Sequence, residues 1–145
     1  QHDSLGIIKV FTDGASRGNP GESGIGIVIY DESGTALVKW NEYIGITTNN
    51  RAEYMALLKS VDLISRLESK SSIDMIEFCA DSELMVKQIK GIYKLKDKGL
   101  AQIHKEFNKK IRELGIKYKI THIERSLNKD ADKLANSGID NRNSL

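Results

Sequence analysis

Residues 10–21 read VFTDGASRGNPG: an apolar run closes on Asp13 and a glycine-rich segment follows at once. Asp tolerates turn geometry and bonds its own backbone, so Asp13 is readable as the opening residue of an Asp-Gly turn. A carboxylate at the end of a buried strand is also where an open α/β sheet meets its ligands. What the rest of the chain brings to that strand end decides between the two.

On the N-terminal side, GIIKVF (6–11) is a buried strand, and beyond the glycines GIGIVIYDESGTALVKWNEY (24–43) is a hairpin turning at Asp31–Gly34. In TTNNRAEYMALLKSVDLISRLES (47–69), Tyr54, Leu57, Leu58, Val61, Ile64 and Leu67 recur at the three- and four-residue spacing of an amphipathic helix. IDMIEFCA (73–80) is a fourth strand, and DSELMVKQIKG (81–91) begins a helix directly from its end. GLAQIHKEFNKKIREL (99–114) is a helix with a basic outer face, stopped by Gly115, and IKYKITHIE (116–124) alternates like a half-buried strand. NKDADKLANSGI (128–139) is a last helix with Asn128 at its N-cap. The order β-β-β-α-β-α-α-β-α implies a mixed sheet with helices on both faces. If the fourth strand lies parallel beside the first, chain order reverses between them, and their carboxyl ends carry Asp81 and Asp13.

A chain of 145 residues fits one domain spanning 1–145, with residues 1–5 and 141–145 expected as disordered tails. No apolar segment approaches the roughly 20 residues of a membrane span, and QHDSLG lacks the features of a secretory signal. The single cysteine, Cys79, excludes an internal disulfide and any multi-cysteine zinc site. The expectation is a cytoplasmic monomer with no membrane partner. Net charge is only +2, yet between Lys87 and Lys119 eleven Lys or Arg face three acids. That excess is either a solvated helical face or an electrostatic footprint for a polyanion.

Four carboxylates stand out, each with a local explanation. Asp13 opens a turn. Glu53 follows Asn50 at the spacing of an asparagine variant of the capping box. Asp81 has the position of an N-cap, and Asp132 lies in the first turns of the last helix, where acids are favoured. Their conjunction points elsewhere, because this topology can bring all four to one crevice. Clustered carboxylates repel and are costly to desolvate unless a cation compensates. Oxygen ligands without cysteine suit Mg²⁺ or Mn²⁺. Two such ions roughly 4 Å apart can clamp a phosphodiester, one activating water and the other stabilising the leaving oxygen.

The blocks TDGASRGNPG, TTNNRAEY, ADSELMVKQIKG and NKDADKLA, in this order and spacing, resemble ribonuclease HI over nearly the whole chain. The form resembled is the short one of archaeal-type and some bacterial members. The resemblance implies a five-stranded mixed sheet of order 3-2-1-4-5 flanked by helices, and hydrolysis of the RNA strand of RNA/DNA hybrids. It implies a two-ion site of Mg²⁺, with Mn²⁺ as substitute, on Asp13, Glu53, Asp81 and Asp132. It also implies products with 5′-phosphate and 3′-hydroxyl ends. Ser16 and Asn19 match positions touching the hybrid near the minor groove, Asn49 and Asn50 positions contacting both strands, and Thr48 part of a pocket gripping a DNA phosphate. An A-like minor groove is wide and displays 2′-hydroxyls that short polar side chains reach.

Two departures from the family pattern stand out. Many members carry a loop histidine before the last helix; here HIERSLNKDAD is short, and His122 falls inside the strand pattern. Arg125, at the strand exit, is the expected stand-in, acting by charge because arginine stays protonated. Some relatives insert a basic, tryptophan-bearing helix, where this chain has GIYKLKDKG with Lys94, Lys96 and Lys98 as DNA-phosphate contacts. Two alternatives share the fold: a catalytically silent module binding hybrid or duplex RNA, and another nuclease of the same superfamily.

Overall fold

The computed structural model describes residues 4–142. Strand β1 (Gly6–Gly18) does not stop where the apolar run stops; it continues straight through Asp13 and Gly14. The reason is its partner. β2 (Gly21–Tyr30) pairs antiparallel with it from Lys9↔Tyr30 to Gly18↔Gly21, and this ladder carries the glycine-rich segment as strand. The reversal is made by Asn19 and Pro20, joined by a cis peptide bond. The Asp-Gly turn is therefore corrected: Asp13 lies within the strand, opposite Gly26.

The hairpin continues into β3 (Ala36–Thr47), and α1 (Asn49–Ser65) follows. Then come β4 (Ile73–Ala80), α2 (Glu83–Ile89), α3 (Lys98–Leu114), β5 (Tyr118–His122) and α4 (Lys129–Asp140). The sheet order is β3-β2-β1-β4-β5, with β4 parallel to both β1 and β5. The β1–β4 ladder ends at Thr12↔Ala80, so β1 outruns its parallel neighbour, and Asp13 is the first residue past that end.

One face of the sheet is the main core. Ile8, Val10, Ile25, Ile27, Ile29, Ile76 and Phe78 are buried there with Tyr54, Leu57, Val61 and Ile64 of α1 and Phe107 and Ile111 of α3. Phe78, Phe107 and Tyr118 meet edge-to-face with ring centroids 5.5–5.8 Å apart, a geometry that aromatic quadrupoles favour. On the other face α4 lies over β2, and glycines make the approach possible. A β-carbon at Gly26 would collide with the Ala131 carbonyl and the Ala135 nitrogen.

Of the residues expected in disordered tails, 4, 5, 141 and 142 are among the described ones. Leu5 is buried in the core and its N–H donates to Ser72 Oγ at 3.0 Å, while Arg142 pairs with Glu22 at 2.8 Å. Burial of an apolar side chain at one end and an ion pair at the other fix these positions. Residues 1–3 and 143–145 lie outside the described residues. Among the described residues no helix is long and apolar enough to cross a membrane.

Candidate active site

Each of the local duties assigned to Asp13, Glu53 and Asp81 is performed by a neighbour. Thr48, not Asn50, caps α1, its Oγ1 accepting from Arg51 N–H at 3.2 Å. Glu53 makes no capping box; its Oε1 accepts from Gly14 N–H at 2.9 Å, on the edge of β1 that β4 leaves unpaired. Ser82, not Asp81, caps α2, accepting from Met85 N–H at 3.2 Å. The three readings are thereby corrected: a hydroxyl, Thr48 or Ser82, takes each cap, and an extended ladder replaces the turn at Asp13.

The freed carboxylates converge. Asp13, Glu53 and Asp81 each offer an oxygen, and these oxygens all lie within 4.8 Å of one another. Asp13 and Glu53 are both only 5% exposed, so water does little to screen them. None of the three enters an ion pair among the described residues. Burial, then the charges of Glu53 and Asp81, hold the Asp13 carboxyl far above its ordinary range. Burial and then Asp81 also raise Glu53, while the Gly14 N–H pulls it back down. Such a cluster is unfavourable by itself; a hard divalent cation with oxygen ligands is the group that reverses the sign. The donor set fits one.

Glycine at position 14 is part of the construction. A β-carbon there would collide with the Ala52–Glu53 backbone, so the start of α1 rests directly on β1. Asp132 is on the first turn of α4, exposed at the rim. It lies near enough to Asp13 to bond it and raise its pKa, but stands outside the group of three.

Arg125 opens a short 3-10 turn, Arg125–Leu127, after β5. It is exposed, and its charge reaches Glu53 and lowers that group's pKa. His122 stays in β5 opposite Ala80, as the strand pattern predicts, and its charge acts on Glu83 instead.

A polar cleft of about 410 Å³ adjoins the start of α1, lined by Asn19, Thr47, Thr48, Asn50, Arg51, Asp97 and Leu100. Asn19 Oδ1 accepts from Asn49 N–H at 3.1 Å, tying the β1–β2 turn to α1. Ser16 Oγ donates inward, to the Gly18 carbonyl and to Thr47 O at 3.0 Å. Lys94, Lys96 and Lys98 are all exposed, and the last two flank Asp97, which caps α3 by accepting from Leu100 N–H at 2.9 Å.

Arg51 escaped the sequence reading. Its signal was present: a cation in the first turn of a helix that has no acid there, the end where the helix dipole favours anions. Asn128 was read only as an N-cap. It occupies that position, but its side chain makes no cap bond.

Comparison with known proteins agrees with this arrangement. The family described as reverse transcriptase-like matches residues 11–138. Ribonuclease HI of Halobacterium salinarum is 34% identical, over 97% of this chain and 68% of its own length. The crystal structure of LC11-RNase H1 in complex with RNA/DNA hybrid superposes with a TM-score of 0.87 at 40% identity, covering 92% of this chain and 96% of that one. The crystal structure of RNase H1 from Halobacterium salinarum gives 0.84 at 33% identity, covering 93% and 98%. A bifunctional protein of Mycobacterium tuberculosis is 31% identical over 92% of this chain, which spans only 35% of that protein. The chain belongs to the ribonuclease HI family.

Proposed function

We propose that this chain is an endoribonuclease that hydrolyses the RNA strand of RNA/DNA hybrids in a divalent-metal-dependent reaction. The observation that carries the reading is the group of three carboxylates, two of them buried, within 4.8 Å and with no ion-pair partner among the described residues. Family membership and the hybrid-bound relative support the substrate. In this reading Asp13, Glu53 and Asp81 hold the metal and Asp132 completes a second site, with Mg²⁺ the expected ion and Mn²⁺ a substitute. Bound there, the ions would supply an activated water and stabilisation of the leaving oxygen, giving 5′-phosphate and 3′-hydroxyl ends.

The chain's own residues bind and orient. Gly14 N–H fixes Glu53 toward Asp13, so the carboxylate geometry exists before substrate arrives. Thr48, Asn50 and Arg51 line a cleft of a size and polarity suited to a phosphate of the DNA strand. Asn19 and Asn49, held together by their own hydrogen bond, offer short polar groups to the minor groove. Ser16 braces that turn by donating its one hydrogen inward, which leaves its oxygen to accept from the groove. Lys94, Lys96 and Lys98 add sequence-independent attraction. Arg125 steadies charge developing on the scissile phosphate, without taking a proton.

The test is cleavage of labelled RNA/DNA, RNA/RNA and branched DNA with Mg²⁺, Mn²⁺ or chelator, by wild type and by Asp13→Asn. Metal-dependent cutting of the hybrid by wild type alone is expected, with activity of the variant down by about 10²–10³-fold, the loss typical of removing a central electrostatic group. Binding without cutting, or equal cutting by Asp13→Asn, overturns the reading.

A further inference from the structure

We propose that Asn128 is a positioning residue for Asp81, orienting its carboxylate for metal binding while leaving its charge whole; this rests on the metal-site reading above. Asparagine at an N-cap ordinarily turns its side-chain oxygen onto the free N–H groups of its own helix. Asn128 does not. It is 1% exposed, and its Nδ2 donates both hydrogens away from α4, to Thr12 O at 2.9 Å and Asp81 Oδ2 at 3.0 Å. Both partners are pure acceptors, so only the NH₂ end of the amide can face them. Its Oδ1 is left buried and without a partner.

The side chain thus forgoes the bond its position offers and leaves an oxygen unpaired, in order to face two other groups. A local rule broken in this way is characteristic of functional positions. What it faces is informative. Thr12 and Ala80 are the last pair of the β1–β4 ladder, and the next residue along the chain after each is an acid, Asp13 or Asp81. One amide therefore ties the start of α4 to both strand ends at the level of the carboxylate group.

The chemistry of the donor matters as well. A lysine or arginine in this place would orient Asp81 equally well but neutralise it. The amide is neutral, so the carboxylate keeps its full charge for a cation. Asp81 has no ion pair among the described residues, and its helix-capping duty belongs to Ser82. Hydrogen bonds that orient a ligating carboxylate typically alter metal affinity about 10- to 100-fold when removed.

The experiment titrates Mn²⁺ into the metal-free protein by calorimetry, for wild type, Asn128→Ala, Asn128→Ser and each change combined with Asp81→Asn. Asn128→Ser retains a capping side chain for α4 and guards against a variant that fails to fold. Half-saturating Mg²⁺ and KM for hybrid are measured in parallel. The expected result is Mn²⁺ binding weakened about ten-fold, the Mg²⁺ requirement raised to match, KM for hybrid unchanged, and kcat recovered at high metal. In the Asp81→Asn background the Asn128 changes have no further effect on Mn²⁺. Binding within two-fold of wild type, or an equal loss with and without Asp81, overturns the proposal. If wild type fails to cut hybrid, the functional reading falls, while the Mn²⁺ titration still decides the role of Asn128.

Discussion

Glu53 owes its place in the site to residues that relieve it of other work. Thr48 caps α1, so the glutamate three residues into the first capping-box candidate is free to reach across to Gly14. Arg51, on the same turn, occupies a position where the dipole penalises a cation by a few tenths of a kcal/mol, up to about 1 kcal/mol. It lines the cleft with Asn19, Thr48, Asn50 and the acid Asp97, and a phosphate bound beside the guanidinium would compensate that cost. Arg51→Ala should therefore raise KM for hybrid several-fold with kcat nearly unchanged. It should also reduce the slope of log affinity against log salt by about one. Binding measured across a salt series reads both; an unchanged slope means that no phosphate sits in the cleft. The folded protein itself should lose little stability, because Arg51 is exposed and enters no ion pair among the described residues.

The elements are set at their depths by glycine. Gly14 lets α1 rest on one side of β1, and Gly26, opposite Asp13 in the ladder, lets α4 rest on the other side of the sheet. Gly26→Ala must lift α4, and with it Asn128 and Asp132, away from the strand ends. The expected outcome is a loss of about 1–3 kcal/mol of stability, the usual scale for overpacking. Hybrid cleavage should fall further than the folded fraction measured by circular dichroism. Equal losses would mean that the depth of α4 serves packing alone.

Strand and helix identities along the chain were legible because alternation and the 3.6-residue repeat are local. So was the order of the sheet, through the resemblance. Where β1 stops was not. Its last seven residues are strand because Gly21–Tyr30 pairs with them, and nothing within VFTDGASRGNPG carries that information. The caps were misread for a related reason. Asn50, Asp81 and Asn128 are all competent caps, and whether each caps or reaches elsewhere is decided by what lies across the fold. The four acids were found from their positions at element ends; that Asp132 stands at the rim while three converge needed the structure.

For the whole molecule, a site built this way makes stability depend on metal and pH together. Asp13 and Glu53 are both raised above their ordinary values of 3.8 and 4.5. A raised carboxyl means that the folded state binds its proton more tightly than the unfolded state. Stability from these groups is complete below those ordinary values and drains away as pH rises through the folded-state titration. Other groups behave differently. The carboxyls of Asp31, Glu83 and Asp140 are lowered, so their contribution is lost only in acid. His104 is lowered by burial, so its contribution grows as pH passes the ordinary histidine value. Comparing wild type with Asp13→Asn across pH 5–9 cancels these shared terms. In chelator the variant should be the more stable protein, by a margin that widens as pH rises. For a domain near this size each kcal/mol moves Tm by roughly 2–4 °C. Saturating Mg²⁺ should then reverse the order, because an ion at 100 times its Kd adds about 2.7 kcal/mol to the form that binds it, and that form is wild type. Thermal melts in chelator and in Mg²⁺ at three pH values read all of this. A margin that is flat with pH, or a variant less stable than wild type without metal, would mean that the carboxylates do not repel. The end of the β1–β4 ladder and the start of α1 would then be holding three acids for some purpose other than a cation.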